Sequence, residues 1–338
     1  MQLSGISKHR TALMGIAAIM ILLCHSARRI SMPSAIAYPL SFLNIGVDIF
    51  LFLSGMGIYH SLEKLPKDKN RFHKVMRGWY FRRYSRILIP YILIVIPFCG
   101  LTMYVEGESW STIFKYFTTI SFWTDHTGFW FIALIIPLYF LAPLIFNFVS
   151  SRGGMKLLII LTICTIIALI PNMFDSEGAY VFSNFQFAII RVPSFILGMV
   201  LAPMIFDNKK IRVSILVYLS IIAVILLIST RHIVYTYAYM VLPVTLLLAI
   251  FLEFVEKNRI YNGLTFFGKI SLESYLFNGA IQTYIVWIMA FLVLPDYNNI
   301  LMYTLVVLVG TVLAVFSNKT ARMINDRISC NKDCHSAS

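Results

Sequence analysis

Charge is what this sequence has least of. Of its 338 residues, 13% are charged and 59% are hydrophobic, with a mean hydropathy of +0.79. A soluble domain carries roughly 25% charged residues, so about half the usual charge is missing, which excludes a soluble enzyme and a disordered chain. Cysteine is scarce too. Five in 338 residues exclude a disulfide scaffold. Cys24, Cys99 and Cys164 lie in apolar runs, where the residue behaves as a small hydrophobe. Cys330, Cys334 and His335 fall in a polar tail, one ligand short of a zinc pattern. Also missing are an internal repeat, a low-complexity segment, a stretch long enough for a second soluble domain, and any G-x-S-x-G, P-loop, GxGxxG or H-E-x-x-H motif.

What the chain has is apolar runs. A membrane span needs about 20 mostly apolar residues, and ten stretches qualify: 11–30, 40–61, 87–105, 128–149, 155–171, 185–206, 212–230, 233–254, 269–293 and 300–318. The fold class expected is all-α, a polytopic integral membrane protein, with a transmembrane domain over 1–320 and a short polar cytoplasmic tail over 321–338. The first run follows Lys8, His9 and Arg10 but lacks an A-x-A cleavage site and contains His25. It reads as a retained helix rather than a leader.

The excess of 28 Lys and Arg over 15 Asp and Glu suggests nucleic acid only in a soluble protein. Here topology explains it. With both termini in the cytoplasm, 23 of the 28 basic residues lie inside, four (Arg28, Arg29, Lys115 and Arg231) lie outside, and Arg191 is within a span. That asymmetry obeys the positive-inside rule and implies an even number of spans. The expected location is the cytoplasmic membrane, with the bilayer as a partner and no nucleic acid.

Charges inside spans cost about 2.5–3.5 kcal/mol each at mid-helix and so need a reason. At ~1.5 Å per residue, His25 lies ~20 Å up from the inner boundary, Asp48 ~10 Å below the outer one and Arg191 ~9 Å below it. In a ~30 Å hydrocarbon core these depths coincide, so the three can meet in the outer half. A neutral imidazole such as His25 can take a proton from a hydroxyl near pH 7. It can equally be a histidine satisfied by a carbonyl or headgroup. Asp48 can orient the imidazole, or pair with Arg191 to close the bundle.

A second cluster is the segment 63–86, with nine Lys and Arg. Arg82, Arg83 and Arg86 share one helical side and suit a phosphorylated ligand; alternatively they hold the loop inside, against anionic lipid. Asp125 and His126, beside Trp123 and Trp130, could bind a polar acceptor at the outer face, although interfacial Trp is ordinarily a belt residue. Glu273, in the inner half of its span, could face a cytoplasmic entrance.

Several of these stretches, in order, resemble the membrane acyltransferase-3 family, integral O-acyltransferases that modify bacterial surface carbohydrates. Leu13-Met14-Gly15-Ile16-Ala17-Ala18 running to Cys24-His25 resembles its first helix. Gly46-Val47-Asp48-Ile49-Phe50 through Ser54-Gly55 resembles the second, and Phe81-Arg82-Arg83-Tyr84-Ser85-Arg86 through Pro90-Tyr91 its arginine-rich stretch. Phe129-Trp130-Phe131 through Pro143, Arg191-Val192-Pro193 through Gly198, and Gly268-Lys269-Ile270 through Leu276 resemble later blocks. Two positions depart from the pattern. Met14 stands where many members have an arginine, with Arg10 four residues earlier, and Asn278 stands where the last block often ends in histidine.

The resemblance implies a cell-membrane acyltransferase. The donor would be acetyl-CoA or another acyl-CoA, used as substrate with no tightly bound cofactor and no metal. The acceptor would be a hydroxyl of an extracytoplasmic or lipid-linked carbohydrate. It implies that His25 is catalytic; from their own positions, Asp48 and Arg191 are expected to orient it or to stabilise an oxyanion. It also implies that Arg82, Arg83 and Arg86 bind the donor; Asp125, His126, Trp130 and Glu273 are the substrate-binding candidates from their positions alone. The competing readings are a polysaccharide exporter or secondary transporter, which ten helices with midplane charges would suit, and a non-catalytic scaffold. Oligomeric state is not legible.

Overall fold

The computed structural model describes residues 1–66, 72–125, 127–151, 159–160, 162–167, 176–280 and 300–336. Among these the protein is helical, and the sole β-type pairing is one isolated antiparallel bridge, Gln2 to Lys210. The helices are α1 (Ser4–Lys8), α2 (Arg10–Arg29), α3 (Ser34–Ser41), α4 (Gly46–Glu63), α5 (Phe72–Glu106), α6 (Trp110–Phe117), α7 (Ile120–Asp125), α8 (Trp130–Ser151), α9 (Ser176–Ile189), α10 (Val192–Phe206), α11 (Val213–Thr230), α12 (Tyr237–Val255), α13 (Arg259–Lys269) and α14 (Ile300–Ser336). Residues 271–280 form a further helical run.

Eight helical stretches among the described residues are long and apolar enough to cross a membrane: Arg10–Ala27, Ser34–Glu63, Phe72–Glu106, Trp130–Ser150, Ser183–Phe206, Val213–Thr230, Ile233–Val255 and Ile300–Ile328. Each overlaps one of the ten predicted spans. The other two, 155–171 and 269–293, lie partly outside the described residues. The helices themselves differ from the predicted runs in three places. The third starts at Phe72, so the arginine block is already helical when the apolar run begins. The last continues without a break to Ser336. The run 185–206 is interrupted at Ile190-Arg191, between α9 and α10. Pro193 in the first turn of α10 explains the break. Proline has no N–H to bond the preceding turn and is tolerated where a helix starts.

The chain forms two compact units. The first contains Met1–Cys24, Tyr38–Pro66 and Phe140–Lys269. Its helices meet at two glycine crossings. A Cβ on Gly55 would lie 2.0 Å from the Phe195 carbonyl oxygen, and one on Gly198 would lie 2.0 Å from that of Phe52. The same reciprocity joins α2 to α13: a Cβ on Gly15 would lie 1.8 Å from the Leu264 oxygen, and one on Gly268 1.8 Å from that of Thr11. Lipid tails are as apolar as leucine, so membrane helices associate through such backbone approach rather than through hydrophobic transfer. The N-terminal residues are pinned to this unit. Leu3 N–H donates to the Lys209 carbonyl at 3.2 Å, and Ile211 N–H to that of Met1 at 3.0 Å. Lys8 pairs with Glu256 at 2.6 Å, and His9 Nδ1 lies 3.1 Å from the Tyr261 hydroxyl.

The second unit contains His25–Ala37, Lys67–Tyr139 and Ile270–Ser338. Its contacts combine aromatic rings with tyrosine hydroxyls aimed at backbone. Tyr84 donates to the Ile136 carbonyl at 3.0 Å, and Tyr91 donates to that of Tyr116. The Tyr275 hydroxyl accepts from Phe131 N–H at 3.3 Å. Phe129 sets its edge against Tyr91 and Phe98. Each hydroxyl satisfies a group that hydrocarbon cannot, which is the condition for burying it.

Candidate functional site

The predicted site residues divide between the two units. Asp48 and Arg191 belong to the first. Asp48 sits in the first turn of α4 and Arg191 at the break before α10. The Arg191 guanidinium donates to Asp48 Oδ2, and both side chains are fully sealed from solvent. Ser194 Oγ donates to Asp48 Oδ1 at 2.7 Å, and Arg191 NH1 also reaches the Asn44 carbonyl at 3.5 Å. The guanidinium lies over the rings of Tyr237, at 4.7 Å, and Phe187, at 5.2 Å. Buried ions require this degree of pairing and hydrogen bonding, because their desolvation is otherwise prohibitive. The carboxylate also sits at the start of α10, the end at which a helix favours negative charge.

His25 belongs to the second unit, and its partners there are different. The Asn278 amide nitrogen lies 3.3 Å from His25 Nδ1. Arg29 NH1 donates to Asn278 Oδ1 at 3.0 Å and to the Asn278 backbone carbonyl at 3.3 Å. His25 and Arg29 are i, i+4 on α2, so they share a face. Asn278 comes from the helical run 271–280 and is buried. Reading the sequence by depth missed both partners. Arg29 counts as an outer-loop charge in a topological tally, and Asn278 is a neutral residue at a position noted only for its lack of histidine. The i, i+4 spacing from His25 to Arg29 was the signal available.

The arginine block lies in the same unit as His25. Arg82 and Arg86 are exposed and Arg83 is half-buried. The Arg83 guanidinium stands 5.9 Å from the ring centre of Trp79, which is itself buried. Glu273 is buried, accepts a 2.8 Å hydrogen bond from Asn318 Nδ2 on α14, and is within electrostatic reach of Arg322 and Arg86. A positive edge therefore runs along α5 and α14 with one carboxylate set into it. Arg10, the alternative to the arginine absent at Met14, belongs to the other unit. Its Nε and NH2 reach the Leu53 carbonyl at 3.4 and 3.3 Å.

Asp125 is exposed and paired with Lys115 at 3.0 Å. Trp130 begins α8 and meets Phe131 edge to face. His126 lies outside the described residues. Among the described residues, no three His, Cys, Asp or Glu side chains gather to hold a metal ion. Cys330, Cys334 and His335 fall where side chains are outside the description.

Outside the spans, titration shifts are found at the N-terminal junction. Burial lowers the His9 pKa, with the Lys8 charge adding to the effect. Glu256 raises that of Lys8 through their hydrogen bond, and Lys8 lowers that of Glu256 in return.

The described residues thus form a multi-span helical protein with an imidazole–amide–guanidinium chain and an arginine edge. Comparison with known families identifies its class. Residues 12–318 match the acyltransferase-3 family, described as an acyltransferase domain. The chain belongs to that family and is a multi-pass membrane O-acyltransferase. No curated protein and no solved structure matches it.

Proposed function

We propose that the protein moves an acyl group, acetyl in the simplest case, from cytoplasmic acyl-CoA to a hydroxyl of an extracytoplasmic or lipid-linked carbohydrate. The observation that carries this reading is the His25–Asn278–Arg29 chain, in the same unit as the arginine edge. Arg82, Arg83 and Arg86 hold the CoA phosphates, for which planar guanidinium groups are suited. The positive-inside asymmetry supports a cytoplasmic position for that edge and for both termini. Glu273, buried beside the edge, limits its net charge and fixes its geometry. His25 takes the proton of the acceptor hydroxyl as its oxygen attacks the thioester carbonyl carbon. The C–S bond breaks and CoA leaves as the thiol, so the thioester itself supplies the driving force. Asp125, His126 and Trp130 meet the carbohydrate at the outer face. The sealed contact of Asp48 with Arg191 supports a role in holding α4 against the start of α10, rather than one at the substrate.

The test is mass spectrometry of surface glycans from cells with and without the protein. Expression is expected to add an acyl mass that His25→Ala, produced at equal level in the membrane, fails to add. Full acylation by His25→Ala would end the assignment. Transfer of label from acyl-CoA by the purified protein separates this reading from a transporter, which needs no thioester.

A further inference from the structure

The two side chains beside His25 determine which of its nitrogens carries the proton. Arg29 NH1 donates to Asn278 Oδ1 at 3.0 Å. A guanidinium has donors and no acceptor, so the amide must turn its oxygen to Arg29. The amide NH2 is then turned to the imidazole, and it lies 3.3 Å from Nδ1. An NH2 group only donates, so Nδ1 accepts, and the proton of the neutral ring is on Nε2. Asn278 is 3% exposed. Flipping its amide would set NH2 against guanidinium, a mismatch that water does not relieve at a buried site.

We infer that Asn278, held by Arg29, is a positioning residue that keeps neutral His25 in its Nε2–H form, so that the lone pair taking the acceptor's proton is on Nδ1. This rests on the reading of His25 as the base. The hydroxyl approaches on the Asn278 side and replaces the amide hydrogen at Nδ1. Its O–H bond breaks and Nδ1–H forms while the oxygen bonds to the thioester carbon. The C–S bond breaks with its electron pair on sulfur, and the proton now on Nδ1 passes to that thiolate, which returns the ring to its Nε2–H form. Both transfers use Nδ1, because the attacking oxygen and the departing sulfur are on the same carbon, and Nε2 keeps its proton throughout. One proton moves in all, from alcohol to CoA thiol. A ring starting with its proton on Nδ1 would offer the alcohol a donor where a base is needed.

Nitrogen-15 spectra of the full-length protein in bilayers, labelled at histidine, report the protonation of each ring nitrogen. The His25 signals are assigned by their loss in His25→Gln. At neutral pH the wild type is expected to show Nδ1 unprotonated and Nε2 protonated. Asn278→Asp presents only acceptor oxygens and is expected to move the proton to Nδ1; Asn278→Leu is expected to give a mixture of the two forms. Acyl transfer by Asn278→Leu should fall in kcat by less than the roughly 10²–10⁴-fold expected for loss of the base itself, with the KM for acyl-CoA unchanged. A protonated Nδ1 in the wild type overturns the inference, as does an Asn278→Leu protein with the wild-type nitrogen shifts. If the Asn278 variants do not fold, the wild-type spectrum decides alone. The shifts need no turnover. Transfer by His25→Gln would therefore remove the base assignment independently of what the spectra say about Asn278.

Discussion

Asp48 and Arg191 are 143 positions apart in the chain and form an ion pair with both side chains at 0% exposure. The pair joins the first turn of α4 to the helix break before α10, and Ser194 completes it. Removing one partner leaves an uncompensated buried charge, at a cost of about 3–5 kcal/mol. Arg191→Met is therefore expected to lower the thermal stability of the purified protein severely. The double variant Asp48→Leu/Arg191→Met should recover much of that loss. A double variant no more stable than Arg191→Met would show that the pair is not the reason the charges are tolerated.

The crossing of α4 and α10 depends on two hydrogens in place of two methyl groups. Gly198→Ala would put a carbon 2.0 Å from the Phe52 oxygen, and overpacking of that kind costs roughly 1–3 kcal/mol. Gly263 and Gly100 have nothing within 4 Å of such a carbon. Alanine at either is expected to be neutral or stabilising by up to about 1 kcal/mol, through helix propensity. Thermal unfolding of the three variants in the same detergent separates close approach from a general intolerance of change.

If the arginine edge holds the donor, its loss acts on binding before chemistry. Hydrogen bonds to charged groups contribute about 1.5–3 kcal/mol each. Arg83→Gln is expected to raise the KM for acyl-CoA by roughly 10- to 100-fold by that measure, with a smaller change in kcat. Equal loss of kcat at saturating donor would place Arg83 at the reacting atoms instead.

The N-terminal junction is expected to weaken in acid. His9 is buried, and its pKa in the folded protein lies below the ordinary histidine value of 6.5. Below 6.5 the unfolded chain binds a proton that the folded one resists. Stability therefore rises with pH through this window and falls as pH drops below 6.5 toward the folded value. The Lys8–Glu256 pair is exposed and adds little. Unfolding followed at pH 7.5 and pH 5.5 should show the loss in the wild type and a smaller one in His9→Gln. An equal loss in both would assign it to other groups.

Apolar run length and the asymmetry of Lys and Arg were enough to expect a multi-span helical membrane protein, because both are properties of linear sequence set by bilayer thickness and topology. Ordered motifs, from Cys24-His25 through Arg82-Arg83 to Ser271-Leu272-Glu273, were enough to expect the family to which the chain belongs. Depth arithmetic could bring Asp48 level with Arg191, since rise per residue is constant, but it could not choose partners around a helix axis. Tertiary structure alone decided that Asp48 meets Arg191 and Ser194, that His25 meets Asn278, and that Arg29 turns the amide. The first of those choices depends on helix rotation and on backbone approach at Gly55 and Gly198. Both are set by packing between segments far apart in the chain, which no local pattern encodes.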